Sequence, residues 1–346
     1  MLRIPLSQTE TLFSAINEHA KLYLPIEADD LIQFKQWLPD AIVRLDKLNT
    51  AMSPKDFFFP HTENIAAFKR HKKEITIEDS CTSVEPFIIF GLRACDAESL
   101  NLLDKVFLCE PVDTFYKARR ESCILITSAC FQPEESCFCG VFGIDATNPS
   151  GDIVTWVIED TLYWKPLTEG GMALTEKLKG LLAPADNECE IATEKQKAKE
   201  VFAKLPFADL CLENFTPDAL IETFNSPQWT QLYATCIGCG TCTFICPTCH
   251  CYDIQDFDAC DKVIRHRCWD SCMYSDFTLM AHGNPRTSQL ERFRQRFMHK
   301  LIYFPDNNNG TYACVGCGRC VQKCPVAMSI VKVAKALAKT AVKSKG

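Results

Sequence analysis

The apolar positions of this chain change period repeatedly, and each change marks an element. In PFIIFGLRACDAESLNLLDKVFL an apolar run over Phe87–Leu92 reads as a strand. Asp96 then stands as a candidate N-cap, and apolar residues recur at helical spacing to Leu108. CILITSAC, residues 123–130, reads as the next strand, and DIVTWVIED as another. A right-handed crossover makes the first two strands parallel. Cys95 and Cys130 then lie at one C-terminal sheet edge, where open α/β folds place their sites. SQTETLFSAINEHA predicts a helix capped by Ser7 with Glu10 three residues on. ECEIATEKQKAKEVFAKL predicts a charged surface helix that leads toward a domain junction near TPDALIETFNSPQW. SPKDFFFP reads as a loop whose aromatic bulk packs in a core. Beyond the junction, SDFTLMAH and SQLERFRQRFMHKL read as helices, and residues 247–313 show no alternating strand pattern. VKVAKALAKTAVKSK predicts a last helix whose lysines 332, 335 and 339 face solvent. The expected fold class is therefore α+β or α/β. An N-terminal mixed α/β domain, 1–224, precedes a largely helical domain, 225–346.

Composition sharpens this. A chain of 346 residues, 47% hydrophobic, can build two cores. It has no run of eighteen apolar residues, so no membrane span is expected. MLRIPLSQTE lacks a basic region followed by an apolar one, which predicts a cytoplasmic protein. In a reducing compartment 22 cysteines point to metal rather than to a disulfide framework. Net charge is −7, but it is unevenly spread. Residues 225–346 hold 15 Lys and Arg against 8 Asp and Glu, and residues 1–224 hold 22 against 36. A basic half can bind nucleic acid or carry an anionic cofactor.

The cysteine spacing decides between these. CIGCGTCTFICP places Cys236, Cys239, Cys242 and Cys246 in the pattern C-x2-C-x2-C-x3-C-P. CVGCGRCVQKCP repeats it with Cys314, Cys317, Cys320 and Cys324. Two such runs predict two [4Fe-4S] clusters in a ferredoxin-like domain. The short spacings wrap three thiolates around one face of a cube, and the fourth cysteine crosses to the other. Cys236, Cys239, Cys242 and Cys324 are thus assigned to one cluster, and Cys314, Cys317, Cys320 and Cys246 to the second. Each cube carries about two negative charges when oxidised, which the basic half can balance. In ERFRQRFMHK, Arg292 and Arg296 share a helix face, either solvated or turned to a cluster. No nucleic-acid-binding motif accompanies the basic residues.

Other cysteines fall outside the repeat. In the N-terminal half, Cys137 and Cys139 follow the strand that delivers Cys130. With Cys95 they form a candidate third [4Fe-4S] site: Cys95, Cys130, Cys137 and Cys139. Cys81, Cys109, Cys123, Cys189 and Cys211 show no such convergence. Cys249, Cys251, Cys260, Cys268 and Cys272 either pack as small hydrophobes or ligate another metal. No P-loop or dinucleotide fingerprint is present, and no catalytic set of side chains stands out.

CTFICPTCHCYDIQD, RHRCWDSCMYSDFTLMAHGNPR, RFRQRFMHKLIYFPD and CVGCGRCVQKCP together resemble the iron–sulfur beta subunits of hydrogenases and sulfhydrogenases. They are also similar to the iron–sulfur subunit of anaerobic sulfite reductase and to the dicluster subunit of flavin oxidoreductases that work with heterodisulfide reductase. GLRACDAESLNLLDKVFL, DTFYKARR and CFCGVFG extend the resemblance into the N-terminal half, so that it covers about Ser53 to Ala334. MAHGNPR departs from it by lacking a second glycine. The resemblance implies a non-catalytic electron-transfer subunit of a cytosolic anaerobic complex. Its partners would be a flavin subunit that handles NAD(P)H and a catalytic redox subunit. The alternatives are a self-contained iron–sulfur reductase of a small sulfur compound and an iron–sulfur redox sensor on nucleic acid, and the acidic half argues against the sensor.

Overall fold

The computed structural model describes residues 1–47, 49–71, 74–79, 83–185, 188–259 and 262–343. Cys81 and Cys260 lie outside them. The fold is mixed α/β, with a ferredoxin-like part at the C-terminal end.

The unbroken apolar run at Phe87–Leu92 is buried at every position, because it lies inside an eight-stranded sheet. Lys21–Ala28, Phe87–Leu92, Cys123–Ser128 and Ile153–Ile158 run parallel at its centre. Thr161–Pro166, Leu2–Pro5 and Ala183–Pro184 extend one side antiparallel, and Leu31–Gln36 closes the other. One face packs on helix Thr9–Asn17 through Leu12, Phe13 and Ile16. The other packs on helix Ala94–Phe107 through Leu100, Leu103 and Phe107. Phe58 and Phe59 join the latter core, as expected, although Lys55–Phe58 form a helical turn rather than plain loop.

Both expected caps fail. Ser7 sits in a 3-10 turn before Thr9 and caps nothing, since the chain enters the helix through that turn. The second helix begins at Ala94, and Asp96 lies inside its first turn, fully buried. There it meets Arg319 from 223 residues away, a tertiary partner that local sequence cannot announce.

A second sheet of four antiparallel strands differs from expectation more widely. Its order is Tyr252–Asp258, Lys262–Trp269, Thr62–His71, Glu74–Asp79. The first two strands fall in the segment that shows no strand pattern. Tyr252–Asp258 is exposed at all seven positions, so no buried face imposes an alternation. SDFTLMAH is not a helix either: only Asp276–Thr278 form a 3-10 turn, and Leu279 and Met280 are exposed.

Helices Gln289–Met298 and Ile330–Lys343 form as expected, the first with a Ser288/Glu291 capping box. They share a core with Trp229, Phe138, Leu210, Leu212 and Phe215. The last four lie on the N-terminal side of the expected division after residue 224, so packing spans that division. Among the described residues no helix is long and apolar enough to cross a membrane.

Candidate iron–sulfur sites

The two ferredoxin loops are built alike. Each makes its turn on glycines at positive φ and ends in one helical turn, Thr241–Phe244 or Arg319–Gln322. Gly316 shows why glycine is needed: a Cβ there would lie 2.4 Å from the Phe138 carbonyl oxygen, and φ is +58°. Phe138 N–H donates to Gly316 C=O at 2.9 Å. The CFC loop of the N-terminal half is thereby laid directly against the second ferredoxin loop.

The thiols fall into neighbouring groups. Cys236, Cys239, Cys242 and Cys324 line one cavity with Met273, Phe293, Phe297 and Met328. Cys246 lies near Cys314 and Cys320 as well as near Cys242, and Cys317 is close to Cys314 and Cys320. Cys324 thus shares a cavity with the first loop's three thiols, while Cys246 lies near members of both loops. Cys95, Cys130, Cys137 and Cys139 also come together, at the C-terminal edge of the parallel strands. Cys139 interacts with Cys137 and Cys130, and Cys95 with Cys139. Cys95 and Cys137 each feel Cys317, so this third group adjoins the second. Cys109, Cys189 and Cys211 are exposed, and Cys123 is buried inside its strand.

The surroundings suit an anionic, polynuclear group. Among the described residues, no three His, Cys, Asp or Glu side chains gather as they would around a single metal ion. A cube keeps its thiolates further apart. Among the described residues, the buried cations Arg296 and Lys300 face the thiols with no carboxylate partner, and Arg93 keeps only a 3.3 Å contact with Asp96. Arg296 is 2% exposed, and its Nε and Nη1 have no hydrogen-bond acceptor. Burial opposes its charge, but the thiolates of Cys242, Cys320, Cys249 and Cys246 outweigh that and raise its pKa. Among the described residues Lys300 donates to Thr248 Oγ1 at 2.8 Å and Ala313 O at 2.9 Å. Burial disfavours its charge too, yet Cys246, Cys249 and Cys314 pull its pKa above the ordinary value. Arg93 leaves Nη2 unpartnered beside Cys95, Cys137 and Cys317. An isolated buried cation costs several kcal/mol, so these side chains fit thiolate clusters and do not fit neutral thiols.

Sequence pattern does not single out several of these cations. Arg319 stands within CVGCGRC and Lys300 one turn beyond Arg296, so a charge inside a motif is an available signal. Arg93 carries none, nor does Lys55, which is 2% exposed and donates from Nζ to the Cys249 carbonyl at 3.0 Å. Of the expected pair, Arg296 turns to the thiols. Arg292 instead bonds the backbone carbonyls of Met273, Arg286 and Thr287. A π-helical segment, His299–Tyr303, follows helix Gln289–Met298 and carries Lys300 into the core.

A family model described as a 4Fe-4S dicluster domain matches residues 235–328, which span both loops. Over 330 residues the chain is 31% identical to the sulfhydrogenase 2 subunit beta of Pyrococcus furiosus, with 93% of each chain covered. No solved structure matches.

Proposed function

The chain belongs to the sulfhydrogenase beta-subunit family of iron–sulfur electron-transfer subunits, and we propose that it relays electrons between a flavin subunit handling NAD(P)H and a catalytic redox subunit. The observation that carries this reading is the row of adjoining thiol groups. It runs from Cys239, exposed at one end, through Cys246, Cys314, Cys317 and Cys320, to Cys95, Cys137, Cys139 and the half-buried Cys130. When bound, each [4Fe-4S] cube takes up and gives back one electron at low potential. The chain's own residues hold the row together. Arg296 and Lys300 lie against the first two groups and Arg93 against the second and third, so the added charge of reduction is met by fixed cations. The row needs no substrate pocket.

The test is the isolated chain. Reduced by dithionite, it passes electrons to an artificial dye but shows no turnover with NAD(P)H and sulfite, sulfur or protons. Adding the flavin subunit confers NAD(P)H-dependent bleaching of the cluster absorbance. NAD(P)H-dependent substrate reduction by the chain alone would overturn the relay and favour a self-contained reductase.

The N-terminal group is proposed as a third cluster. Replacing Cys137 and Cys139 with serine then removes about four iron and four sulfide per chain. The spectra of the two ferredoxin-type clusters persist. Unchanged iron content would leave Cys95, Cys130, Cys137 and Cys139 as packing thiols only.

A further inference from the structure

A single hydroxyl lies between the ends of the two ferredoxin loops and touches one of their thiols. Thr248 follows the Cys246–Pro247 turn and is 3% exposed. Its Oγ1 is 3.3 Å from Cys246 Sγ. The same Oγ1 is 2.8 Å from Lys300 Nζ, and 2.8 Å from the carbonyl oxygen of Ala313, the residue before Cys314. Lys300 Nζ also donates to that Ala313 oxygen, at 2.9 Å, and Ala313 N–H donates to the Lys300 carbonyl at 3.1 Å. Thr248, Lys300 and Ala313 thus close a buried triangle. It fastens the chain after Cys246 to the chain before Cys314.

Counting protons shows what the triangle leaves over. A threonine hydroxyl has one proton to give, whereas a lysine ammonium has three and accepts nothing. Lys300 is therefore the donor to Thr248 Oγ1. The Thr248 proton has two acceptors within reach, Ala313 O and Cys246 Sγ. Ala313 O is already supplied by Lys300. Cys246 as an iron ligand is a thiolate without a proton, so the hydroxyl is the donor in that pair. A charged acceptor also binds a donor more strongly than a neutral carbonyl does. By donating to the hydroxyl oxygen, Lys300 strengthens the bond that the hydroxyl makes. A mechanical clamp alone would not need Thr248, because Lys300 and Ala313 already bond each other twice.

We propose that the Thr248 hydroxyl, polarised by Lys300, donates to Cys246 Sγ and raises the reduction potential of the cluster assigned to Cys246, Cys314, Cys317 and Cys320. An added electron makes the ligand sulfurs more negative, so the hydrogen bond is stronger in the reduced state and favours it. No proton is transferred: the cluster gains one electron, and the proton stays on Thr248 Oγ1. The inference rests on the relay reading and on the crossed ligands. The other cluster is supplied differently. Cys324 Sγ accepts from the backbone N–H of Met328 at 3.1 Å. Thr241 Oγ1 stands 3.3 Å from Cys239 Sγ, but Cys239 is exposed, and water can replace that hydroxyl. Only the buried threonine is a donor that one substitution removes without a substitute.

The full chain, reconstituted anaerobically, is titrated with dithionite while its cluster signals are followed by electron paramagnetic resonance. The relevant signal is the one that Cys317→Ser removes. Thr248→Val should keep its iron and shift the one-electron reduction equilibrium of that signal about tenfold toward the oxidised state, which is ~59 mV. Thr248→Ser, which restores the hydroxyl, should return the potential to the wild-type value. Thr241→Val should move the other ferredoxin-type signal less. An unmoved potential in Thr248→Val would overturn the proposal. So would an equal shift in Thr248→Ser, which would make the methyl group the cause. A shift confined to the signal lost in Cys239→Ser would also overturn it, by placing Cys246 with its own loop. Should valine cost the chain this cluster, Thr248→Ala is titrated instead, and loss of the cluster from both would overturn the proposal by making the hydroxyl a requirement of assembly. Dye reduction by the wild type tests the relay separately, so failure of that reading is distinct from an unmoved potential.

Discussion

Replacing Arg319 with methionine is expected to destabilise the folded chain by about 3–5 kcal/mol, the usual cost of leaving a buried charge without its partner. Arg319 is 2% exposed and Asp96 is fully buried. The guanidinium donates to both Asp96 oxygens, at 2.5 and 3.0 Å, and to Thr50 O and Oγ1 at 2.9 and 2.8 Å. Burial would raise the Asp96 pKa, but Arg319 and then Arg93 outweigh it and hold the carboxyl below its ordinary range. Without Arg319 only the 3.3 Å contact from Arg93 remains. Arg93 would then be drawn to the carboxylate and away from the thiols it faces. The measurement is the midpoint of anaerobic urea unfolding, followed by circular dichroism with the denaturant slope unchanged. Asp96→Asn combined with Arg319→Met should cost less than Arg319→Met alone, since no charge is stranded. A loss under about 1 kcal/mol for the single variant would place this pair with exposed ion pairs and remove its structural role.

That pair also shows where sequence reading stops. The parallel strands were legible because Phe87–Leu92 and Cys123–Ser128 carry uniform apolar runs, and the crossover rule fixed their sense. From that sense alone Cys95 and Cys130 could be placed at one edge. The dicluster domain was legible because a cube imposes its ligand spacing locally, in the two cysteine runs. Asp96 was not, since an acidic residue in a first helical turn reads as a cap unless its distant partner is known. The hairpin Tyr252–Asp258 with Lys262–Trp269 escaped for a related reason. It pairs with Thr62–His71, about two hundred residues earlier, and its outer strand buries nothing. The cations were hidden differently. Lys55 sits in an aromatic loop and Lys300 in a basic helix, and both read as solvated until their burial is seen.

Cys246→Ser and Cys324→Ser are expected to damage clusters opposite to their own sequence neighbours. Cys246 is 8% exposed and faces Cys314 and Cys320, while Cys324 shares a cavity with Cys236, Cys239 and Cys242. Cys246 also lies near Cys242, so nearness alone does not separate the two pairings. The cavity favours the crossed pairing, because its fourth thiol is Cys324. Each single variant should lose about four iron. Joining Cys246→Ser to Cys317→Ser should cost no further iron, since both changes remove the same cube. Joining it to Cys239→Ser should remove about four more. In the assembled complex either single variant breaks the row. NAD(P)H-driven throughput should then fall by more than the ~10–100-fold typical of losing an outer-shell metal partner. The flavin subunit's own NAD(P)H–dye activity should persist, which places the break in the row and not at the flavin. If Cys246→Ser and Cys239→Ser together lose no more iron than either alone, Cys246 serves its own loop and the crossed assignment is wrong.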